Sequence, residues 1–295
     1  MVSESGAPVS AVVDYKTLKA GGFMRQREAG LFAMRLHVVG GHLTAAQLAR
    51  VAEVSTRYGR GDVHLTARQG VEIPYVPLES LKDAQAELEA AGLSMGACGP
   101  RVRTVTACQG ASVCSHGVVE TAAAATEIDA RYYGRQMPHK FKFTLTGCIN
   151  NCMKVQENDI GLMGVVEPQW VDDACDRCGI CVAVCRSGAL TEADDGIDID
   201  RADCNNCGDC VASCPTDAWT AGRSGWQVWV GGKMGRVPMF ARPLPGIVCS
   251  EDELFAVTEA VCSFYKRHGK PRERLGTTIE RLGWDLLVKE VTNGD

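Results

Sequence analysis

Nowhere in this sequence is there an apolar run of the roughly 20 residues needed to cross a bilayer. The segment Met1 to Ser10 lacks a basic region followed by an apolar core, so no secretory signal is read there. No glycine fingerprint follows a predicted strand to open a helix. That leaves no nicotinamide or flavin site. Basic residues are not in excess: 31 Lys and Arg face 36 Asp and Glu, and the net charge of −5 argues against a general nucleic-acid surface. The expectation is a soluble, cytoplasmic chain with no membrane span and no nucleic-acid partner.

What the sequence has in quantity is cysteine, 15 in 295 residues. A chain of this length buries a real core without disulfides. Tight Cys-x-x-Cys runs in such a chain point to metal or cluster ligation in a reducing compartment. One run, Cys175-x2-Cys178-x2-Cys181-x3-Cys185, recurs as Cys204-x2-Cys207-x2-Cys210-x3-Cys214-Pro215. This doubled run is the bacterial ferredoxin pattern, in which the fourth cysteine of each run serves the other cluster. Cys175, Cys178, Cys181 and Cys214 are therefore expected to hold one [4Fe–4S] cluster, and Cys204, Cys207, Cys210 and Cys185 a second. Zinc, which favours separated Cys-x2-Cys pairs, does not explain triplets. Arg186 stands where the pattern usually has proline after the fourth cysteine, which predicts a different local turn with the ligand kept.

A second quartet comes in halves, Cys108-x5-Cys114 and Cys148-x3-Cys152. By itself it fits a third, plain [4Fe–4S] cluster. The strands around it suggest more. Residues two apart in a strand share a face. From Pro138 to Cys148 this puts Phe141, Phe143 and Leu145 toward the core and Lys140, Lys142 and Thr144 on the other side. Arg101 and Arg103 share a face ahead of Cys108; His64, Thr66 and Arg68 share another, as do Arg35 and His37. Four cationic or imidazole faces in an acidic chain, two of them leading into cluster cysteines, suggest an anion chamber.

The segments Leu65-Thr-Ala-Arg-Gln69, Arg103-x4-Cys108, Lys140-Phe-Lys142 and Gly147-Cys-Ile-Asn-Asn-Cys152 resemble, in order and spacing, the motifs of the siroheme-dependent sulfite and nitrite reductases. Glu273-Arg-Leu-Gly-Thr-Thr-Ile-Glu-Arg-Leu-Gly283 is similar to the end of anaerobic and dissimilatory-type sulfite reductase subunits, and Gly231-Gly-Lys-x-Gly-Arg236 to a siroheme-side loop. The resemblance implies an α+β fold: a ferredoxin-like βαββα half-domain, a siroheme and [4Fe–4S] domain, and an inserted bacterial-ferredoxin-like domain. It implies that Cys108, Cys114, Cys148 and Cys152 hold a cluster and that Cys152 bridges to the siroheme iron. Arg68, Arg103, Lys140 and Lys142 would surround the oxyanion, with Arg35, His37, Thr66, Arg101, Lys233 and Arg236 as further siroheme contacts. The implied reaction is six-electron reduction of sulfite to sulfide, with nitrite reduction to ammonia as a rival. A siroheme-free, three-cluster electron-transfer subunit is the rival of another class. Electrons would come from a donor protein such as a ferredoxin or a flavoprotein subunit. The fused members of the family contain two such halves and this chain one, which suggests a homodimer, a higher homo-oligomer, or a heterodimer with a similar subunit.

The domain boundaries expected are an N-terminal arm at 1–25, the half-domain at 26–98, the siroheme and cluster domain at 99–170 and 221–295, and the insert at 171–220. Capping boxes at Thr44/Gln47 and Ser250/Glu253 start two helices. Residues 225–239 read as a hairpin about Gly231-Gly232, and a final helix carries Leu275, Ile279, Leu282 and Leu286. Cys98, Cys249 and Cys262 are left over, Cys262 as a packing residue in an amphipathic helix. His116 and the tryptophans, such as Trp226 and Trp229, are read as contact or core residues.

Overall fold

Asp14 opens the described structure by accepting the amides of Lys16 at 3.0 Å and Thr17 at 3.2 Å, which caps helix α1 (Tyr15–Ala20). The structure, a computed structural model, describes residues 13–194 and 196–292. Residues 1–12 of the expected arm lie outside the described residues. From Tyr15 onward, the stretch read as arm is regular structure. Strand β1 (Phe23–Arg25) pairs antiparallel with β2 (Leu31–Arg35), Phe23 opposite Met34. A three-residue strand is too short for periodicity to reveal.

The chain is a mixed α+β fold that divides into two units. The first contains residues up to His37, Leu43–Thr66 and Gly70–Gly99. Its helix α2 (Ala45–Tyr58) starts with the expected capping box, Thr44 accepting from the Gln47 amide and Gln47 from the Thr44 amide. Strands β3 (His64–Leu65) and β4 (Val71–Pro77) and helix α3 (Leu81–Ala90) follow. The sheet order is β1-β2-β4-β3, antiparallel throughout. Its core holds Phe32, Met34, Val51, Val54, Ile73 and Leu88, all buried. Strand β2 stops at Arg35, short of the expected Val39. Gly40 and Gly41, at φ 58° and 74°, instead form a 3-10 turn.

The second unit contains Val38–His42, Ala67–Gln69 and everything from Pro100. Strand β5 (Thr106–Ala107) leads through helix α4 (Thr121–Tyr132) to β6 (Phe143–Thr146), and β7 (Ile160–Trp170) follows. The strands β5, β6 and β7 are parallel neighbours. The cysteine-rich insert then supplies α5 (Ile180–Val184), a hairpin of β8 (Leu190–Ala193) and β9 (Gly196–Ile199), and α6 (Asp209–Ser213). Strand β10 (Trp219–Val230) returns antiparallel along β7, and β11 (Arg242–Pro243) completes the order β11-β10-β7-β6-β5. The expected hairpin at 225–239 is corrected here. Residues 219–230 are one long strand that finds its partner in β7, and the strand returning from Gly231-Gly232 is β11. Helices α7 (Glu251–His268), α8 (Leu275–Leu282) and α9 (Trp284–Thr292) close the unit. The expected final helix is two helices, because Gly283 takes φ 98°. The core gathers Phe141, Phe143, Leu145, Ile160, Leu162, Phe264 and Tyr265.

The insert's sequence repeat is also a backbone repeat. Arg177 and Asn206 take φ 58° and 56°, and Gly179 and Gly208 take φ 70° and 79°, at matching positions ahead of α5 and α6. Where β7 passes the cysteine loop after β6, close approach requires glycine. A methyl on Gly164 would strike the Gly147 carbonyl and the Val119 side chain. Gly164→Ala should therefore lower stability by about 1–3 kcal/mol, as overpacking typically does. A lowered urea midpoint with an unchanged m-value is the expected measurement.

Candidate anion and cluster site

Two adjacent parallel strands build the site, each passing from cations into cysteines. Ahead of β5, Arg103 N–H donates to the Phe141 carbonyl at 2.8 Å and Phe141 N–H to the Arg101 carbonyl at 3.0 Å. Arg101 and Arg103 thus run beside Lys140 and Lys142. Phe141, Phe143 and Leu145 are fully buried, as alternation predicts, while Lys140 and Lys142 are partly exposed. Thr144 departs from the expected cationic side. It is buried, and its hydroxyl meets that of Thr106 at 2.6 Å. Central parallel strands are covered on both faces, so alternation need not reach solvent.

At the far end of the strands, Gly147 N–H donates to Cys108 Sγ at 3.0 Å. This joins the two cysteine halves directly. Cys148 feels Cys108, Cys114 and Cys152 electrostatically; burial, with those thiols adding, pushes its own thiol up. Asn151, at φ 52°, ties the loop by accepting the Val155 amide at 2.9 Å. Cys114 and Cys152 are exposed, and Cys108 and Cys148 are partly buried.

Within the second unit, the cations gather around one acid. Arg68 donates to Asn158 Oδ1 at 2.9 Å and to the Thr104 carbonyl at 3.1 Å. Burial pushes its guanidinium down to about 10. Burial first, and then the charges of Arg68 and Arg274, push the Lys142 amine down to about 8. Lys140 shifts downward for the same kind of reason, burial with Arg274 and Arg103. His139 is lowered by burial and by Arg274, Lys140 and Arg103. Asp159, fully buried, accepts a fork from Arg274 at 2.6 and 3.2 Å and the Lys142 N–H at 2.9 Å. Asn158, Asp159 and Arg274 were not singled out from the sequence. The available signal was a charged residue placed immediately before the apolar run from Ile160, because a buried charge requires a partner.

In the insert, Cys185, Cys204, Cys207 and Cys210 line one small cavity, together with Pro168. Cys175, Cys178, Cys181 and Cys214 line another, together with Trp219. Both sets draw their fourth thiol from the other run. Among the described residues, no group of three His, Cys, Asp or Glu side chains is arranged to hold a single metal ion. Four thiols converging on one small space match the ligand set of an iron–sulfur cluster.

The other expected site residues are placed as follows. Arg35 is in the first unit, paired with Glu72 at 2.6 Å and donating to Cys98 Sγ at 3.4 Å. His37 Nδ1 meets Ser94 Oγ at 3.3 Å, and Thr66 Oγ1 accepts the Gly70 amide at 3.0 Å, both within that unit. Lys233 Nζ donates to Thr277 Oγ1 at 3.0 Å, and Arg236 is exposed on the same loop. Cys249 and His116 are exposed. Cys262 is buried in α7, as a packing role requires. No described helix is long and apolar enough to cross a membrane.

Comparison with known proteins agrees with this architecture. Residues 98–294 match the nitrite and sulphite reductase 4Fe-4S domain, and residues 24–91 the nitrite/sulfite reductase ferredoxin-like half domain. The coenzyme F420-dependent sulfite reductase of Methanocaldococcus jannaschii is 33% identical over 279 residues, covering 94% of this chain and 44% of that protein. The chain thus spans less than half the length of that relative. A subunit of the anaerobic sulfite reductase of Salmonella typhimurium is 28% identical over 169 residues, covering 52% of this chain and 50% of the Salmonella protein. The crystal structure of dissimilatory sulfite reductase I superposes with a TM-score of 0.73 at 22% identity, covering 89% of this chain and 69% of that one. The NirA protein of Mycobacterium tuberculosis gives 0.66 at 22% identity, covering 95% and 48%; at these identities the likeness is one of fold. A match across both the half domain and the 4Fe-4S domain, in the order of the two units, makes this chain a member of the nitrite/sulfite reductase family.

Proposed function

We propose that this chain reduces sulfite to sulfide in a six-electron, siroheme-dependent reaction. The observation that carries the reading is the pair of parallel strands that pass from a cationic cluster into two halves of one thiol quartet. Cys108, Cys114, Cys148 and Cys152 would hold a [4Fe–4S] cluster, Cys152 also serving the siroheme iron. Arg35, His37, Thr66, Arg101, Lys233 and Arg236 would serve siroheme carboxylates. When bound, siroheme and its cluster supply the iron that takes the anion and the electrons that reduce it.

The chain's own residues supply charge, geometry and protons. Arg68 and Arg103 offer planar forks suited to oxyanion oxygens. Lys140 and Lys142 add point charges. An amine near 8, as at Lys142, holds a proton at neutral pH and gives it up more readily than an ordinary lysine, which suits protonation of a departing oxygen.

The two insert cavities would hold the electron relay, two further [4Fe–4S] clusters. Their order follows strand β7. Gly164 packs on Gly147 beside Cys148, and Pro168 lines the Cys204-containing cavity. Trp219, opposite Trp170, lines the Cys175-containing one. The Cys175 set is therefore the entry and the Cys204 set the exit. Residues 171–220 carry 11 acidic against three basic side chains. A donor protein docking there, whether ferredoxin or flavoprotein, is expected to present a basic face. Pairing with a second copy or a similar subunit belongs to the same proposal.

The test is acid-acetone extraction and absorption spectroscopy of anaerobically purified protein from cells that make siroheme, followed by turnover with sulfite and with nitrite. About one tetrapyrrole per chain and sulfide production are the expected results. Turnover of nitrite alone would redirect the reading to ammonia formation. Absence of tetrapyrrole, with iron and sulfide for three clusters, would leave an electron-transfer subunit.

A further inference from the structure

A carboxylate buried among cations persists only where it is fully hydrogen-bonded and paired. Asp159 meets both conditions just ahead of β7. Its oxygens accept the Arg274 fork and the Lys142 N–H, and its carbonyl accepts the Gly231 amide at 2.9 Å. Ile160 N–H donates to the Lys142 carbonyl at 3.1 Å. The Lys142 main chain is thus pinned on both sides by two consecutive residues. The residue before them, Asn158, holds Arg68. Three residues in a row therefore position two of the four cations assigned to the anion.

We propose that Asp159 and Arg274 are positioning residues of the anion site: the carboxylate fixes Lys142, and the ion pair sets the charge that Lys142 and the anion feel. Arg274 acts through Asp159 and not by touching the anion. This inference rests on the oxyanion-reductase reading above. It assigns opposite effects to the two partners. Burial raises the Asp159 carboxyl, while Arg274 and the Lys142 N–H pull it down. A bidentate guanidinium favours the ionised form of the carboxylate it grips. The charged groups acting on Lys142 are Arg68 from the loop after β3, Arg274 ahead of α8, Lys140 on its own strand, and Asp159 as the one opposing charge. Losing Asp159 makes the chamber more positive and loosens the Lys142 proton. Losing Arg274 removes a positive charge acting on Lys142 and lets the buried Asp159 carboxyl take up a proton; the lost cation acts on Lys142 more strongly than the lost anion, so the Lys142 proton is held more tightly. A role in packing alone would make both losses harmful in the same direction.

The experiment compares the wild-type holoenzyme with Asp159→Asn, Arg274→Gln, Arg274→Lys and the Asp159→Asn/Arg274→Gln double variant. Asparagine retains an acceptor for the Lys142 amide. One readout is KM for sulfite separately from kcat. The other, independent of turnover, is acetic anhydride labelling of Lys142 from roughly pH 6 to pH 10, read at peptide level. Asp159→Asn should lower KM about tenfold and move the labelling midpoint to lower pH; Arg274→Gln, in which the buried Asp159 carboxyl becomes neutral, should raise KM about threefold and move the midpoint to higher pH. The double variant should return to within about threefold of wild type, as coupled charges do in a mutant cycle. Arg274→Lys keeps the charge but not the fork, so its labelling midpoint should fall between those of wild type and Arg274→Gln. Shifts of the two single variants in one direction, or an unmoved Lys142 midpoint, would overturn the proposal. If Asp159→Asn does not fold, equal losses in Arg274→Gln and Arg274→Lys overturn it. If wild-type holoenzyme has no affinity for sulfite, the oxyanion reading fails, and the order of the labelling midpoints still decides the role of Asp159.

Discussion

Replacing Cys152 with serine is expected to abolish sulfite reduction, a loss of about 1000-fold or more, while the protein stays folded. Losing a residue that only supports a metal ligand typically costs about 10- to 100-fold, and losing the ligand itself costs more. Cys152 is exposed, at the end of a loop whose shape is set by Asn151 and the Val155 amide. Serine there removes a thiolate without opening a cavity, so the urea midpoint should move little. Iron should fall from about thirteen to about eight atoms per chain if the quartet holds one of three [4Fe–4S] clusters and Cys152 also holds the siroheme iron. Cys249→Ser, exposed and outside every thiol set, should keep both iron and turnover. Full activity in Cys152→Ser would remove the quartet from the proposed site. Loss of activity with twelve irons retained would locate the defect in the neighbouring siroheme.

The features legible in the sequence were those set by local chemistry. Thiol spacing is local, and so are capping boxes, which is why those at Thr44 and Ser250 are found where expected. The exchange of fourth cysteines between the two runs was read from a repeat within one short insert. What depended on long-range pairing was not legible. Asp159 and Arg274 are 115 residues apart, and no periodicity links them. Residues 219–230 became one strand because β7 offered a partner along their whole length, a partner that a pass along the chain does not see. Thr144 was assigned to the cationic side by alternation, but β5 and β7 flank its strand and Thr106 takes its hydroxyl. Arg35 was read as part of a cationic strand face with His37. Its partner, Glu72, is on the neighbouring strand of the same sheet, directly opposite in register.

Lys142→Ala is expected to lower kcat by about 100-fold or more, the range in which loss of a positioned general acid falls, and to remove the alkaline limb of the pH–rate profile. Burial and the charges of Arg68 and Arg274 bring the Lys142 amine to about 8. An acid catalyst works while protonated. Wild-type turnover should therefore be steady at neutral pH and fall as pH rises through about 8. Alanine leaves no proton to lose there, so the residual rate should pass through that region without a break. Lys142→Arg is the companion variant. A guanidinium keeps its proton across the accessible range, so sulfite KM should stay within about threefold of wild type while kcat remains low, because the charge survives and the mobile proton does not. With those outcomes, lysine at this position would do two separable things: its charge would hold the anion, and its raised acidity would deliver a proton to the oxygen that leaves. If arginine restored kcat in full, charge alone would account for Lys142, and the protons would have to come from Lys140 or from water in the cationic chamber.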